Sequence, residues 1–322
     1  MKPKILRTDA ELFIIEQYLD ELRAIADVAT TGRTDEDGLA ADASDATLIL
    51  TCYTNITAKV IESAPKLKGI VKYGVGTDSI DIAAATRQGV MVVNCPDYGS
   101  DTVADHAFAL LIALARKIPV LDRAMRLDGW VWPAPQYFGA DLAGKIIGIV
   151  GFGRIGRAMA RRAQGFGMTR LVSDPYVRPE AVADLGVRFV GLDELLARSD
   201  FVSLHCVLTP ETRGLIGEAA FERMKPTAFL IDVSRGAIVD EAALVRALDQ
   251  GRIAGAAFDV FAHEPLAPGY PLLGRDNVIL TPHLAWYTEE AFQRVERDTL
   301  AGVLDILAGR RPKNLKNVDV LE

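Results

Sequence analysis

Cysteine is scarce in this chain: Cys52, Cys95 and Cys206 are the three in 322 residues. An odd number at wide spacings builds neither a disulfide framework nor a CxxC metal pair, and points to a reducing cytosol. Histidine is nearly as scarce, with four residues, and none stands at a metal-ligand spacing, so no metal is expected. Long apolar runs are missing. The longest is Ala107 to Ala115, ended by Arg116 and Lys117, and it is too short to span a bilayer. Basic charge is in deficit, 36 Lys and Arg against 43 Asp and Glu, for a net charge of −7. That balance argues against nucleic acid or an anionic membrane as the main partner, since both need a basic face. The start, Met1-Lys-Pro-Lys-Ile-Leu-Arg, has no apolar stretch after its charges, so no signal peptide is expected. Gly (27) and Pro (15) fall well short of a disordered composition. No internal repeat and no low-complexity segment is visible. The expectation is a soluble, intracellular globular protein, of two domains at about 150 residues per domain.

What is present is an alternation of short apolar runs with helical stretches. Lys4–Leu6, Ala46–Leu50, Leu67–Val71 and Val90–Val93 read as strands, and Glu11–Ala24 and Ile80–Gln88 as helices. Asp101–Lys117 reads as one long apolar helix, followed by an irregular stretch, Gly129–Gly139, rich in Trp and Pro. A second series has strands at Lys145–Val150, Thr169–Ser173, Phe201–Leu204, Ala228–Ile231, Gly255–Ala257 and Val278–Leu280. Helices are expected at Arg154–Gly165, Glu218–Met224, Asp240–Asp249 and Thr288–Leu307. Such alternation means βαβ units and parallel sheets. The basic tail of Arg310, Arg311, Lys313 and Lys316 reads as solvated surface.

The sharpest local signal is Lys145-Ile-Ile-Gly-Ile-Val-Gly151-Phe-Gly153-Arg-Ile-Gly156, an apolar strand, then GxGxxG, then a helix. Gly151 permits a tight turn, Gly153 lets the backbone approach a pyrophosphate, and Gly156 lets the helix pack on the strand. The helix N-terminus offers unpaired N–H groups to the phosphates. Asp174, at the end of the next strand, suits the two hydroxyls of an adenine ribose and repels an added phosphate, which favours NAD over NADP. Arg154 either adds charge at the pyrophosphate or is solvated.

Three later residues, each directly after a strand, carry the chemistry of hydride transfer. They are Arg235 in Leu230-Ile-Asp-Val-Ser-Arg-Gly236, Glu264 in Asp259-Val-Phe-Ala-His-Glu-Pro265, and His283 in Leu280-Thr-Pro-His-Leu-Ala285. The carboxyl ends of the strands of an open α/β sheet share one crevice, so all three are expected at one site. With the glycine loop, with Lys72-Tyr-Gly-Val-Gly76-Thr-Asp-Ser-Ile-Asp81, with Val103-Ala-Asp-His-Ala107 and with His205-Cys-Val-Leu-Thr-Pro-Glu-Thr212, the sequence resembles the D-isomer-specific 2-hydroxyacid dehydrogenase family over almost its whole length.

The resemblance implies an α/β protein of two Rossmann-like or flavodoxin-like domains with parallel sheets, the cofactor domain inserted into the substrate domain. The substrate domain would be residues 1–100 and 287–322, the NAD domain 101–286, with a closing hinge between them and a homodimer built on the cofactor domains. The aromatics of Trp130–Tyr137 would help to bury that dimer interface. Arg235 would hold the substrate's carboxylate and carbonyl oxygen with its planar fork. His283 would be the general acid in reduction and the base in oxidation. Glu264 would pair with His283, raise its pKa and keep a proton available. Tyr73, Val75, Gly76 and Trp286 would complete the substrate site. Thr102, Gly151, Gly153, Arg154, Ile155, Gly156, Asp174, Cys206, Val207, Thr212, Val233, Ser234, Asp259, His283 and Ala285 would line the NAD site.

Two positions depart from the family pattern: Asp232 stands where Asn is usual, and Val207 where Pro is usual. Asp232 either pairs with Arg235 or tunes nicotinamide binding. His106 reads as a packed or hydrogen-bonded helix histidine, His205 as a neighbour of the cofactor, and Cys206 as a pocket residue or an inert thiol. Glu264 excludes the formate dehydrogenases of the family, which have Gln there. His283-Leu-Ala-Trp286-Tyr287 resembles the C-terminal-binding-protein branch and its bacterial relatives. Two functions follow: an NAD-dependent enzyme interconverting 2-keto and D-2-hydroxy acids in the cytoplasm, or an NAD(H)-sensing module that recruits a protein. Trp286 either lines the substrate pocket, favouring apolar or thioether side chains, or packs between the domains.

Overall fold

The computed structural model describes residues 2–321. The chain divides into two compact units, one running through Gly99 and resuming at Thr288, the other Ser100–Tyr287.

The first unit alternates β1 (Lys4–Arg7), α1 (Glu16–Ile25), β2 (Asp27–Thr30), α2 (Glu36–Ala43), β3 (Leu48–Thr51), α3 (Ala58–Glu62), β4 (Gly69–Lys72), α4 (Ile82–Arg87) and β5 (Met91–Val93). The second runs α5 (Ser100–Ala115), α6 (Ile118–Asp128), β6 (Ile146–Val150), α7 (Arg154–Gly165), β7 (Thr169–Ser173), β8 (Arg188–Phe189), α8 (Leu192–Arg198), β9 (Phe201–Leu204), α9 (Glu218–Arg223), β10 (Phe229–Asp232), α10 (Glu241–Asp249), β11 (Gly255–Phe258) and β12 (Val278–Leu280). The helix α11 (Glu289–Leu307) then returns the chain to the first unit.

Both sheets are wholly parallel, as expected of βαβ units. The first has the order β2-β1-β3-β4-β5, the flavodoxin-like arrangement. The second has the order β12-β11-β10-β9-β6-β7-β8, which is the doubly wound dinucleotide order with a seventh strand added. The central strands are mostly apolar and buried at every position because helices cover both faces: Leu48–Thr51, Gly69–Lys72, Phe201–Leu204 and Gly255–Phe258, with Thr51, Lys72 and Ser203 as buried polar exceptions. The strand order reverses between β6 and β9, the switch point of the second sheet, and Gly151 stands directly after β6.

Several elements differ from the sequence expectation. The long helix expected at Asp101–Lys117 stops at Ala115, because Lys117 takes a left-handed conformation (φ 53°) and α6 starts afresh with Pro119 in its first turn. The helix expected at Glu11–Ala24 starts only at Glu16. Beyond these, β2, α2, α3, β8 and α8 were not marked by the apolar pattern. The strand β2 is half-exposed, and α2, Glu-Asp-Gly-Leu-Ala-Ala-Asp-Ala, is made of small residues with a single leucine. Its N-cap Asp35, accepting from the Gly38 N–H at 2.7 Å, is the local signal.

Candidate active site

The glycine loop follows β6 and opens α7. Gly151 has φ +88°, and a side chain there would meet the Cys206 backbone at 2.5 Å. A Cβ on Gly156 would lie 2.2 Å from the Gly151 carbonyl oxygen, so the helix can approach the strand only as glycine. Gly153, the N-cap, faces open space within 4 Å. Arg154 is exposed and Ile155 half-buried in the first turn of α7. Asp174 ends β7 with its carboxylate already in the loop: Oδ2 accepts from the Phe152 N–H (2.6 Å), and Oδ1 from the N–H groups of Tyr176 (2.8 Å) and Val177 (3.1 Å). It is half-exposed, and a carboxylate's remaining lone pairs serve a ribose. An open turn, a helix N-terminus with no side-chain cap and an acid at the next strand end fit a dinucleotide.

The other side of this crevice is formed by the ends of β9, β10, β11 and β12. Cys206 and Val207 follow β9. Burial pushes the Cys206 thiol up to about 12, so it is a protonated, inert group, and Val207 is exposed. His205 bonds Ser203 Oγ through Nε2 at 2.9 Å, and burial pushes its pKa down to about 3, so it is neutral. Thr212 caps its own turn, donating to the Val207 carbonyl at 2.7 Å. Val233 and Thr102 are buried, Ser234 is half-buried.

Arg235 is fixed by a bond from its guanidinium to the Ser234 carbonyl (2.8 Å) and by the following glycine. A Cβ on Gly236 would lie 2.1 Å from the Phe261 carbonyl carbon, so only glycine lets the Arg235 loop close on the Phe261–Glu264 loop. Glu264 turns back on its own loop, Oε1 accepting from the Phe261 N–H at 2.8 Å, and presents Oε2 to His283 Nδ1 at 2.7 Å. Burial raises the Glu264 pKa, but the bond and charge of His283, the Phe261 N–H and the Arg235 charge outweigh it and hold the carboxyl below its usual range.

His283 adopts φ +57°, a conformation rare outside glycine and asparagine, so other bonds must hold it. Asp259 holds it. This carboxylate is 1% exposed and accepts from Thr281 Oγ1 (2.6 Å), Leu284 N–H (3.0 Å) and Ala285 N–H (2.8 Å), bracketing the histidine on both sides. His106 of α5 supports the same knot through Thr281 Oγ1 at 3.1 Å. The sequence reading gave Asp259 to the cofactor alone. Its tie to the His283 loop spans 25 residues of chain and leaves no local spacing to read.

In the first unit, Tyr73 is buried and its hydroxyl donates to Glu296 Oε2 at 2.8 Å, so its side chain is spent in that unit's core and only its backbone is left for a ligand. Val75 is exposed and Gly76 half-buried. Trp286 is buried and lies edge-on to Tyr287, ring centres 5.2 Å apart. Asp232 Oδ1 accepts from the Ser234 N–H and hydroxyl, and the Arg235 charge lies near enough to pull its pKa down against burial. Among the described residues no group of three or more His, Cys, Asp or Glu side chains is placed to hold a metal ion, and no helix is long and apolar enough to cross a membrane.

Comparison with known proteins shows the family of the chain. Residues 108–285 match the family described as D-isomer specific 2-hydroxyacid dehydrogenase, NAD binding domain. The chain is 46% identical, over 83% of its length and 81% of the relative, to a glyoxylate reductase of Korarchaeum cryptofilum (strain OPF8). It is 41% identical to a D-3-phosphoglycerate dehydrogenase of Archaeoglobus fulgidus, over 85% of this chain and 52% of that longer one. The crystal structure of a D-lactate dehydrogenase from Aquifex aeolicus, complexed with NAD and lactic acid, superimposes with a TM-score of 0.87 at 29% identity, covering 97% of this chain and 98% of the other. The chain belongs to the D-isomer-specific 2-hydroxyacid dehydrogenase family, and residues 108–285 form its NAD-binding domain.

Proposed function

We propose that this protein reduces a small 2-keto acid to the D-2-hydroxy acid with NADH, with the unit 100–287 as cofactor domain and the unit 1–99 with 288–322 as substrate domain. The observation that carries this reading is the 2.7 Å pair between His283 Nδ1 and Glu264 Oε2, next to Arg235, at the strand ends of a dinucleotide-binding sheet. NADH, when bound, supplies the hydride. Arg235 presents a planar fork of donors to the carboxylate and carbonyl oxygen, which aligns the keto carbon and draws charge onto the oxygen. With Nδ1 on Glu264, proton exchange falls to His283 Nε2, which protonates the carbonyl oxygen in reduction and accepts the proton in oxidation. Glu264 stabilises the imidazolium and fixes the ring. The backbone of Tyr73, Val75 and Gly76 is assigned to the substrate carboxylate, and Trp286 to the substrate's side chain.

The relatives named glyoxylate reductase and D-3-phosphoglycerate dehydrogenase support a short keto or hydroxy acid, and the first has the greater identity. The Trp286–Tyr287 pair supports a place near the C-terminal-binding-protein branch, and with it the competing function of an NAD(H) sensor with little turnover. A homodimer is supported by α6 and the stretch after it, where Leu127, Trp130, Trp132 and Phe138 are between 64% and 77% exposed. Three free thiols suit a reducing cytoplasm.

The deciding experiment is NADH oxidation with glyoxylate, pyruvate, hydroxypyruvate, phenylpyruvate and thioether-bearing 2-keto acids, for wild type and His283→Gln. Turnover with wild type that is lost in the variant supports the enzyme. Tight NADH binding without turnover on any of them favours the sensor.

A further inference from the structure

Asp232 ends β10 where the family pattern has Asn. Its side chain is fully buried. Oδ1 accepts from the Ser234 N–H at 2.8 Å and the Ser234 hydroxyl at 2.5 Å, while Oδ2, also buried, has no hydrogen-bond partner. An amide in this place would be neutral at every pH. An ionised carboxylate with an orphaned oxygen is costly there, and a protonated one costs less.

The order of the sheet says which half of a dinucleotide the end of β10 lies beside. The glycine turn follows β6, and Asp174 stands on the β7 side of it. A dinucleotide with its pyrophosphate on the turn and its adenine ribose at Asp174 has its nicotinamide half at the ends of β9, β10 and β11. Cys206, Asp232 and Asp259 occupy those ends. The oxidised nicotinamide ring carries a positive charge that the reduced ring lacks.

We propose that Asp232 is a proton-linked selector between the two redox states of the cofactor: ionised, it favours NAD+, and protonated, it gives up that preference. The proposal rests on the reading of this unit as the NAD-binding domain and deepens it. No bond is made or broken; the coupling is Coulombic and strengthened by burial.

Burial pushes the Asp232 pKa up to about 7, against the bonds from Ser234 and the charge of Arg235, and Asp259 pushes it the same way as burial. A positive ring nearby lowers that value in the NAD+ complex. NAD+ affinity is therefore greatest above neutrality and falls as pH drops, whereas NADH, with no ring charge, does not follow it. The other groups facing this place are Arg235 on the loop after β10, His205 and Cys206 after β9, Asp259 after β11, His106 on α5, and the His283–Glu264 pair. His205, at about 3, and Cys206, at about 12, keep their charge states between pH 6 and 8. His106 and His283 remain in place in an Asp232→Asn variant, so any dependence due to them survives it.

The test is the dissociation constant of NAD+ and of NADH at pH 6, 7 and 8, for wild type and Asp232→Asn, with NADH followed by its own fluorescence and NAD+ by competition. Wild type is expected to lose up to about tenfold in NAD+ affinity per pH unit below neutrality, with NADH nearly constant, and the variant to lose this difference. Parallel changes for both nucleotides in wild type, or an unchanged NAD+ dependence in the variant, overturn the proposal. If the variant does not fold, calorimetry of wild type at pH 7 in two buffers of different ionisation enthalpy decides: proton release with NAD+ but not NADH is expected, and equal release overturns it. Failure of wild type to bind either nucleotide would instead sink the reading of the domain.

Discussion

His283 and Glu264 are held together by two independent anchors: Glu264 by the Phe261 N–H, and His283 by the Asp259 carboxylate that grips residues 281, 284 and 285. Their 2.7 Å contact is therefore set by backbone, not by chance meeting of two mobile side chains. Such a pair has a geometry fixed before substrate arrives, which is what proton transfer needs.

Replacing His283 with Gln is expected to lower kcat for keto-acid reduction by about a thousandfold while leaving NADH binding intact. Glu264→Gln is expected to be milder, lowering kcat by about tenfold to a hundredfold, because the amide keeps a hydrogen-bond partner for the ring and loses the charge that stabilises an imidazolium. Steady-state rates beside NADH titrations check both variants, and full activity in Glu264→Gln would remove its assigned role.

Arg235→Lys keeps the charge and loses the fork. A loss of about 100-fold in kcat/KM, shared between KM and kcat, is expected with any 2-keto acid. Initial rates across a substrate series measure it. Full activity in the lysine variant would show that a point charge is enough.

Asp174 bonds the glycine turn as well as facing the crevice, so alanine would disturb two things at once. Asp174→Asn keeps an acceptor on the turn and removes the charge. NADPH affinity is expected to rise by about tenfold and NADH affinity to change little, as loss of a repulsive charge requires. Fluorescence titration with both nucleotides reads the ratio, and an unaltered ratio would mean that this carboxylate does not select between them.

Asp9 ties down residues 52–54. It accepts from the N–H groups of Cys52, Tyr53 and Thr54 at 2.7, 3.1 and 2.9 Å. Burial raises its pKa, yet the bonds from Thr8, Cys52, Thr54 and Tyr53 outweigh this and hold the carboxyl below its usual range. Such a group stabilises the fold above the unfolded-state carboxylate pKa, and its contribution is lost as pH falls through the depressed folded value. Asp9 has φ +56°, which asparagine tolerates, so Asp9→Asn is expected to cost about 1–2 kcal/mol at pH 7 and less at pH 3. Urea unfolding at the two pH values checks the sign.

Trp132 is 77% exposed. If it lies in a homodimer interface, Trp132→Ser together with Phe138→Ser turns a dimer into a monomer of unchanged fold. Light scattering after gel filtration measures this, and a wild-type monomer at micromolar concentration would end the dimer reading.

The sequence by itself determined the two parallel sheets and the turn at Gly151–Gly156, which were legible because they are local: short apolar runs and a glycine spacing. Arg235, Glu264 and His283 were singled out by the motifs they stand in, in the loops that follow β10, β11 and β12. It did not reveal β2 or α2, where half-exposure and small residues leave no period to read, nor the break at Lys117, where a left-handed residue interrupts an otherwise helical pattern. Only the tertiary structure decided what each polar group bonds to. Asp259 grips a loop more than twenty residues away, the Tyr73 hydroxyl is spent on Glu296 at a separation of 223 residues, and Asp232 keeps one oxygen buried without a partner. Those outcomes depend on which strand ends and helices lie side by side, and burial, which sets the charge of a carboxylate, exists only once they do.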